Sequence, residues 1–129
     1  MAHDWSVLER DLRRCLPPRA IVAKRQELLS YDCDGLTLER HCPPLAVLPE
    51  TTEQVAAVLQ CCHQHGVPFV ARGSGTGLSG GALVDQQALL VVTSRMRRVL
   101  DLDLANQRVT VQPGAVSYTH LTLPTTCSV

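Results

Sequence analysis

The segment Arg72-Gly73-Ser74-Gly75-Thr76-Gly77-Leu78-Ser79-Gly80-Gly81 holds five of the chain's eight glycines. Glycines this close together let the backbone adopt positive φ and approach a ligand closely. Successive exposed N–H groups in such a run form a concavity that suits anions. Ser74, Thr76 and Ser79 add hydroxyl donors, and Arg72 adds a fixed positive charge. The segment follows an apolar stretch directly, which a flexible glycine linker would not need to do. A phosphate or pyrophosphate is the ligand this chemistry favours.

Gly75-x-Gly77-x-x-Gly80 also satisfies the dinucleotide fingerprint of a Rossmann unit letter for letter. That fingerprint requires its third glycine to open a helix that crosses to the next strand. Only the seven residues Ala82 to Ala88 separate Gly81 from the apolar run at Leu89, too few for such a crossing. Thr93-Ser94-Arg95 stands where a ribose-binding acid would be sought, and Arg95 would serve an NADP-binding Rossmann-like alternative. No Gly-Lys-Ser/Thr occurs, which excludes a P-loop.

Six cysteines stand at 15, 33, 42, 61, 62 and 127. Cys61-Cys62-His63 with His65 is the densest group of candidate metal ligands, but structural zinc sites take spaced pairs, and His41-Cys42 is adjacent. The favoured reading makes Cys62 a small apolar side chain on a helix, with no metal bound. Twelve basic residues balance twelve acidic ones over 129 positions, which argues against a nucleic-acid partner. No apolar run approaches the roughly 20 residues of a membrane-spanning helix, and the N-terminus lacks a signal-peptide layout. A cytoplasmic location with reduced thiols is expected.

The elements that must position the glycine segment can be read from periodicity and caps. Ser6 with Glu9 forms a capping box for a helix over 6–16, with Trp5, Leu8, Leu12 and Cys15 at helical spacing, ended by Pro17-Pro18. A second helix is predicted over 20–29, and Asp34-Gly35 marks a turn. Leu45 to Leu48 read as a buried strand closed by Pro49. Thr51 and Gln54 cap a helix bearing Val55, Val58, Leu59 and Cys62, stopped by Gly66 and Pro68. Strands are predicted over 68–71 and 89–92, and a hairpin over 99–103 and 108–112 around Ala105-Asn106, turned by Pro113-Gly114. The fold class is α+β: a helical lead-in over 1–44, then a mixed sheet over 45–116. Residues 117–129 have no charge and no glycine but four threonines, and are expected to be a non-native tail.

Tyr31-Asp32-Cys33-Asp34-Gly35-Leu36, Leu48-Pro49-Glu50-Thr51-Thr52-Glu53-Gln54-Val55, His65-Gly66-Val67-Pro68 and Arg72 to Gly81 occur in order. Together they resemble the vanillyl-alcohol-oxidase-type, or PCMH-type, FAD-binding flavoproteins over residues 25–116. The flavin subunits of bacterial glycolate oxidase and the D-lactate dehydrogenases are the members most alike. The resemblance implies the N-terminal part of a PCMH-type domain with FAD as cofactor. It implies that Arg72, Gly73, Ser74, Gly75, Thr76, Gly77, Leu78, Ser79, Gly80 and Gly81 wrap the pyrophosphate. Pro49 would lie toward the adenine, with Pro113, Gly114 and Met96 toward the flavin. Departure from the family pattern begins after Val116, and the family's substrate domain has no counterpart here.

The implied parent enzyme oxidises a 2-hydroxy acid such as glycolate or D-lactate to the 2-oxo acid. Its partners would be an iron–sulfur subunit and a second flavin-type subunit, peripheral at the inner membrane. No residue of this chain is assigned as catalytic, and the 129-residue chain alone is expected to be inactive, poorly soluble and at best a weak FAD binder. A non-catalytic nucleotide-binding or assembly module is the alternative.

Overall fold

The computed structural model describes residues 3–31, 42–74 and 87–115. The Asp34-Gly35 turn, Gly75 to Gly81 and the 117–129 tail lie outside the described residues.

The first helix, α1, spans Trp5–Leu12 and is shorter than its apolar spacing predicts. Its cap is Asp4 and not Ser6. The Asp4 carboxylate accepts from the Ser6 and Val7 backbone N–H groups at 3.2 and 3.3 Å, and from the Ser6 hydroxyl at 2.6 Å. A carboxylate two residues upstream thus takes the hydroxyl that the capping box would have used. Leu8 and Leu12 are fully buried, while Cys15 lies beyond the helix and is exposed.

The helix predicted over 20–29 is not formed as such. A 3₁₀ turn over Pro18–Ala20 leads into strand β1, Ile21–Val22, and only Arg25–Leu28 make a helix, α2, continued by a 3₁₀ turn over Leu29–Tyr31. The β-branched Ile21 and Val22 pair antiparallel with Val47 and Ala46, so a distant partner overrides local helical pattern. The lead-in therefore contributes a strand to the main sheet.

That sheet has the order β1-β2-β4-β3, where β2 is Ala46–Val47, β3 is Phe69–Arg72 and β4 is Leu89–Val92. Strands β2, β4 and β3 run parallel. Helix α3, Thr52–His65, carries the chain from β2 past one strand position to β3, and β4 fills the gap. Leu45 through Leu48 are all buried, as predicted, and so is every residue of β4. Side chains alternate between two cores. Leu45, Val47, Leu89 and Val91 join α1 and α3 through Leu8, Leu12, Val58, Cys61 and Cys62. Ala46, Leu48, Leu90 and Val92 face Leu28, with Val70 and Tyr31 against them. A parallel strand covered on both faces reads as an unbroken apolar run, which is why Leu89-Leu90-Val91-Val92 shows no alternation.

The signals around α3 act where the sequence puts them. Thr51 Oγ1 accepts from the Gln54 N–H at 3.1 Å, while the Gln54 side chain accepts from the Glu50 N–H, one residue before the cap. Gly66 ends the helix at φ 64°, with its N–H bonded to the His63 carbonyl and that of Val67 to Cys62. The buried stripe is displaced from the expected one. Val58, Cys61 and Cys62 are buried, and Val55 and Leu59 only half-buried, because α1 packs along this helix and covers Cys61.

Strands β5, Val99–Asp103, and β6, Arg108–Val111, form a separate antiparallel hairpin with a bulge between Val99 and Asp101. Its turn includes Ala105-Asn106, with Gln107 in the left-handed region at φ 55°. Among the described residues no helix is long and apolar enough to cross a membrane.

Candidate functional site

Because β2, β4 and β3 are parallel, their carboxyl ends share one edge of the sheet, the edge where open α/β sheets bind ligands. The register pairs Arg72 with Val92 and Val47 with Val91, so Gly73, Thr93 and Pro49 follow the ends of adjacent strands. Strand β3 runs one residue further than predicted, because Arg72 pairs with Val92 in the ladder; Arg72 belongs to the strand, and the glycine segment starts at Gly73.

A continuous set of backbone hydrogen bonds ties this edge to the hairpin. The Thr93 N–H and hydroxyl both donate to the Arg72 carbonyl, at 2.8 and 3.3 Å. The Met96 N–H donates to the Thr93 carbonyl at 2.9 Å, and the Gly114 N–H to the Met96 carbonyl at 2.8 Å. The Gln112 N–H closes on Arg98 at 2.9 Å, while the Arg98 N–H donates to the Gln112 side chain at the same distance. The start of the glycine segment, the turn after β4 and Pro113-Gly114 are thereby held together. Among the site residues named from sequence, Arg72, Gly73, Ser74, Pro113 and Gly114 are gathered here, and Pro49 ends the neighbouring strand. Gly75, Thr76, Gly77, Leu78, Ser79, Gly80 and Gly81 lie outside the described residues.

The surroundings of these residues differ. Pro49 is fully buried, as is the Met96 side chain to within 3% of its surface. Ser74 and Pro113 are exposed. A Cβ on Gly73 would meet nothing within 4 Å, which leaves open space in front of its backbone. A Cβ on Gly114 would lie 2.1 Å from the Thr93 carbonyl oxygen. Glycine at 114 is therefore demanded by close backbone approach, and its φ is not positive. An open backbone at Gly73, the Ser74 hydroxyl and the Arg72 charge make a donor set that fits a pyrophosphate.

Sequence reasoning missed Thr93 and Tyr31. Thr93 links three segments through its N–H, hydroxyl and carbonyl, yet a threonine after an apolar strand carries no distinctive signal. Arg72 Nη1 donates to the Tyr31 carbonyl at 3.3 Å, and its guanidinium lies 5.3 Å from the centre of the Tyr31 ring. Arg95, which an NADP reading would reserve for a 2′-phosphate, donates to the Arg19 carbonyl at 2.8 Å.

The Cys-His group is structural in its placement. Burial pushes the Cys62 thiol up to about 11, so it stays protonated and apolar in character. Burial also raises Cys61, with Cys15 and Asp11 adding to the effect. His65 Nε2 sits 2.8 Å from Asp11 Oδ2, and this bond holds the Asp11 carboxyl below its ordinary value. Among the described residues no three His, Cys, Asp or Glu side chains converge as metal ligands would.

This edge, with a glycine segment leaving the outer strand β3 of a mixed sheet, defines a nucleotide-cofactor domain. Residues 43–119 match the family described as an FAD binding domain, and the chain belongs to that family. Its cofactor is FAD. The glycolate oxidase subunit GlcD of Escherichia coli K12 is 46% identical over 103 residues, covering 80% of this chain and 21% of that protein. A probable mitochondrial D-lactate dehydrogenase of Danio rerio is 36% identical over 72 residues, 56% of this chain and 14% of its own. The chain thus spans about a fifth or less of these relatives. In fold it is similar to substrate-bound p-cresol methylhydroxylase, with a TM-score of 0.77 and 22% identity over 87% of this chain and 22% of that one. Alkyldihydroxyacetonephosphate synthase gives 0.78 and 19% over 91% and 24%. These neighbours agree with the α+β, PCMH-type architecture expected from the sequence.

Proposed function

We propose that the chain supplies the pyrophosphate-holding part of a flavoenzyme that oxidises a small 2-hydroxy acid, glycolate or D-lactate in type, to the 2-oxo acid. The observation that carries the reading is the bonded sequence Arg72–Thr93–Met96–Gly114, which gathers the start of the glycine segment and Pro113-Gly114 at the carboxyl edge of a sheet in an FAD-binding family. The identity to glycolate oxidase and D-lactate dehydrogenase chains supports the substrate class. Several relatives are named as subunits, which supports assembly into a multi-subunit enzyme; an iron–sulfur subunit and a second flavin-type subunit are the companions we propose.

When bound, FAD accepts the hydride that leaves the α-carbon of the hydroxy acid. This chain's residues bind and orient. Gly73 and Ser74, with the rest of the segment through Gly81, would hold the pyrophosphate with backbone N–H groups and hydroxyls, and Arg72 would add its charge. Pro113 and Gly114 would set the backbone toward the flavin side, and Pro49 would lie toward the adenine end. The residues that hold the acid and take its proton belong to the substrate domain of the parent enzyme.

Two measurements test this. Titrating the chain into FAD should quench flavin fluorescence to a stoichiometry of about one; equal preference for NADPH would overturn the cofactor reading. A chimera in which residues 25–116 replace their counterpart in the E. coli GlcD subunit should retain glycolate-dependent flavin reduction. A folded, FAD-loaded chimera inert to both glycolate and D-lactate would overturn the substrate class.

A further inference from the structure

Two cysteines lie where α1 and α3 meet. Leu8, Leu12 and Leu16 share one core with Val58, Cys61 and Cys62 of α3. Asp11 Oδ2 and His65 Nε2, 2.8 Å apart, pin α1 to the end of α3. Cys15 is four residues after Asp11 and Cys61 four residues before His65, so each lies about one turn from that pin, on the same side of its own element. The winding of α1 carries on to Cys15, because the Cys15 and Leu16 N–H groups both donate to the Leu12 carbonyl, at 3.1 and 2.9 Å. The Cys15 thiol turns back the same way and donates to that carbonyl at 3.4 Å. It is thereby held close to Leu12, whose side chain packs in the core with Cys61. Charge on Cys15 is among the causes that raise the Cys61 thiol, as expected of neighbours. The two differ in access: Cys15 is exposed and Cys61 is buried.

We propose that Cys15 and Cys61 form a redox latch: a hydroperoxide oxidises the exposed Cys15, and the resulting sulfenic acid condenses with Cys61 to a disulfide that ties α1 to α3. In the first step the peroxide O–O bond breaks, one oxygen passes to the Cys15 sulfur as S–OH, and the other leaves as an alcohol or water. In the second the Cys61 sulfur displaces that hydroxyl, which leaves as water with the Cys61 proton. The two sulfurs together give up two electrons, and the peroxide takes them. A thiol reductant reverses the bond. Desolvation raises both thiols above their ordinary value of 9.0, so little thiolate is present at neutral pH and the latch answers sustained peroxide. The latch acts on the packing of the lead-in against the sheet and stands apart from the cofactor reading.

The test treats the full chain with hydrogen peroxide, blocks the remaining thiols, and maps cross-links by non-reducing tryptic mass spectrometry. The expected product joins the peptide carrying Cys15 to the one carrying Cys61, at a yield independent of protein concentration, and is lost on adding dithiothreitol. Cys42 and Cys62 share the Cys61 peptide. Cys42→Ser and Cys62→Ala should therefore keep the link, and Cys61→Ala should lose it. The oxidised chain should melt roughly 10 °C above the reduced one, the scale for closing a loop of this length. Cys15→Ser should show no such rise, and its exposed position keeps the test valid where a core variant folds poorly. Failure of the link to form, a Cys15 link to any other cysteine or to a second chain, or a link retained in Cys61→Ala would each overturn the proposal. A link without the rise in melting temperature would overturn it as well.

Discussion

A methyl group on Gly114 would sit 2.1 Å from the Thr93 carbonyl oxygen and 2.9 Å from that of Met96. Both are backbone atoms already committed to the hydrogen bonds that hold the site edge together. Neither can swing aside as a side chain would, so Gly114→Ala must push the hairpin off the turn after β4. The expected cost is about 2–3 kcal/mol, the range for overpacking a tight contact, with FAD affinity falling alongside. Gly66 makes the contrasting case. Its Cβ position is empty to 4 Å, but its φ is 64°. Gly66→Ala should cost only about 1 kcal/mol of left-handed strain and leave FAD affinity unchanged. Urea melts and FAD titrations of the two variants separate crowding at the site from strain at a helix end. Equal effects on FAD affinity would remove Gly114 from the site.

Helix α1 is held to α3 by the buried side chains Leu8 and Leu12 and by the Asp11–His65 contact. The bond from His65 lowers the Asp11 carboxyl most, desolvation opposes it, and the Arg10 and Arg14 charges add smaller lowering effects. A carboxyl more acidic in the folded state than in the unfolded one stabilises the fold above its ordinary value of 3.8, and that contribution is lost as pH falls through the lowered value. Asp11→Asn removes the linkage. Its stability profile should be flatter than the parent's on the acid side, and the two should differ most near neutral pH. Parallel profiles would show that the contact does not couple to folding. The same pair of helices shows where sequence informs. The ends of α3 were legible because Thr51, Gln54 and Gly66 act within four residues of themselves. The start of α1 was not, because Asp4 competes with Ser6 for the same N–H groups. Strand β1 was hidden because its partner Val47 lies far along the chain and local pattern around Ile21 favours a helix. In the site, glycine density and Pro113-Gly114 were visible. Tyr31 reaches Arg72 across 41 positions, a link that no spacing rule encodes.

The surface of the whole molecule is uneven in its apolar exposure. The inner strands β2 and β4 of the main sheet are covered on both faces, whereas the hairpin β5–β6 stands apart as a two-stranded unit. Of six large hydrophobic side chains exposed among the described residues, Leu100, Leu104, Val109 and Val111 belong to this hairpin or its turn. Two strands alone bury too little to be stable, so this unit depends on its attachment through Gln112 and Gly114. Its apolar groups remain available to any other surface that can cover them. With a net charge of zero, the chain has no overall repulsion to keep copies apart. Self-association that grows with concentration is the expected behaviour. Leu100 and Leu104 are 55% and 73% exposed, so replacing both with lysine removes little buried area. The double variant should melt within about 0.5 kcal/mol of the parent while sedimenting as a monomer at concentrations where the parent associates. A parent that stays monomeric throughout would show that this exposure does not drive association. A variant that loses stability as well as association would show instead that these leucines are packed in solution, and that the hairpin is held by more than its backbone bonds to the site.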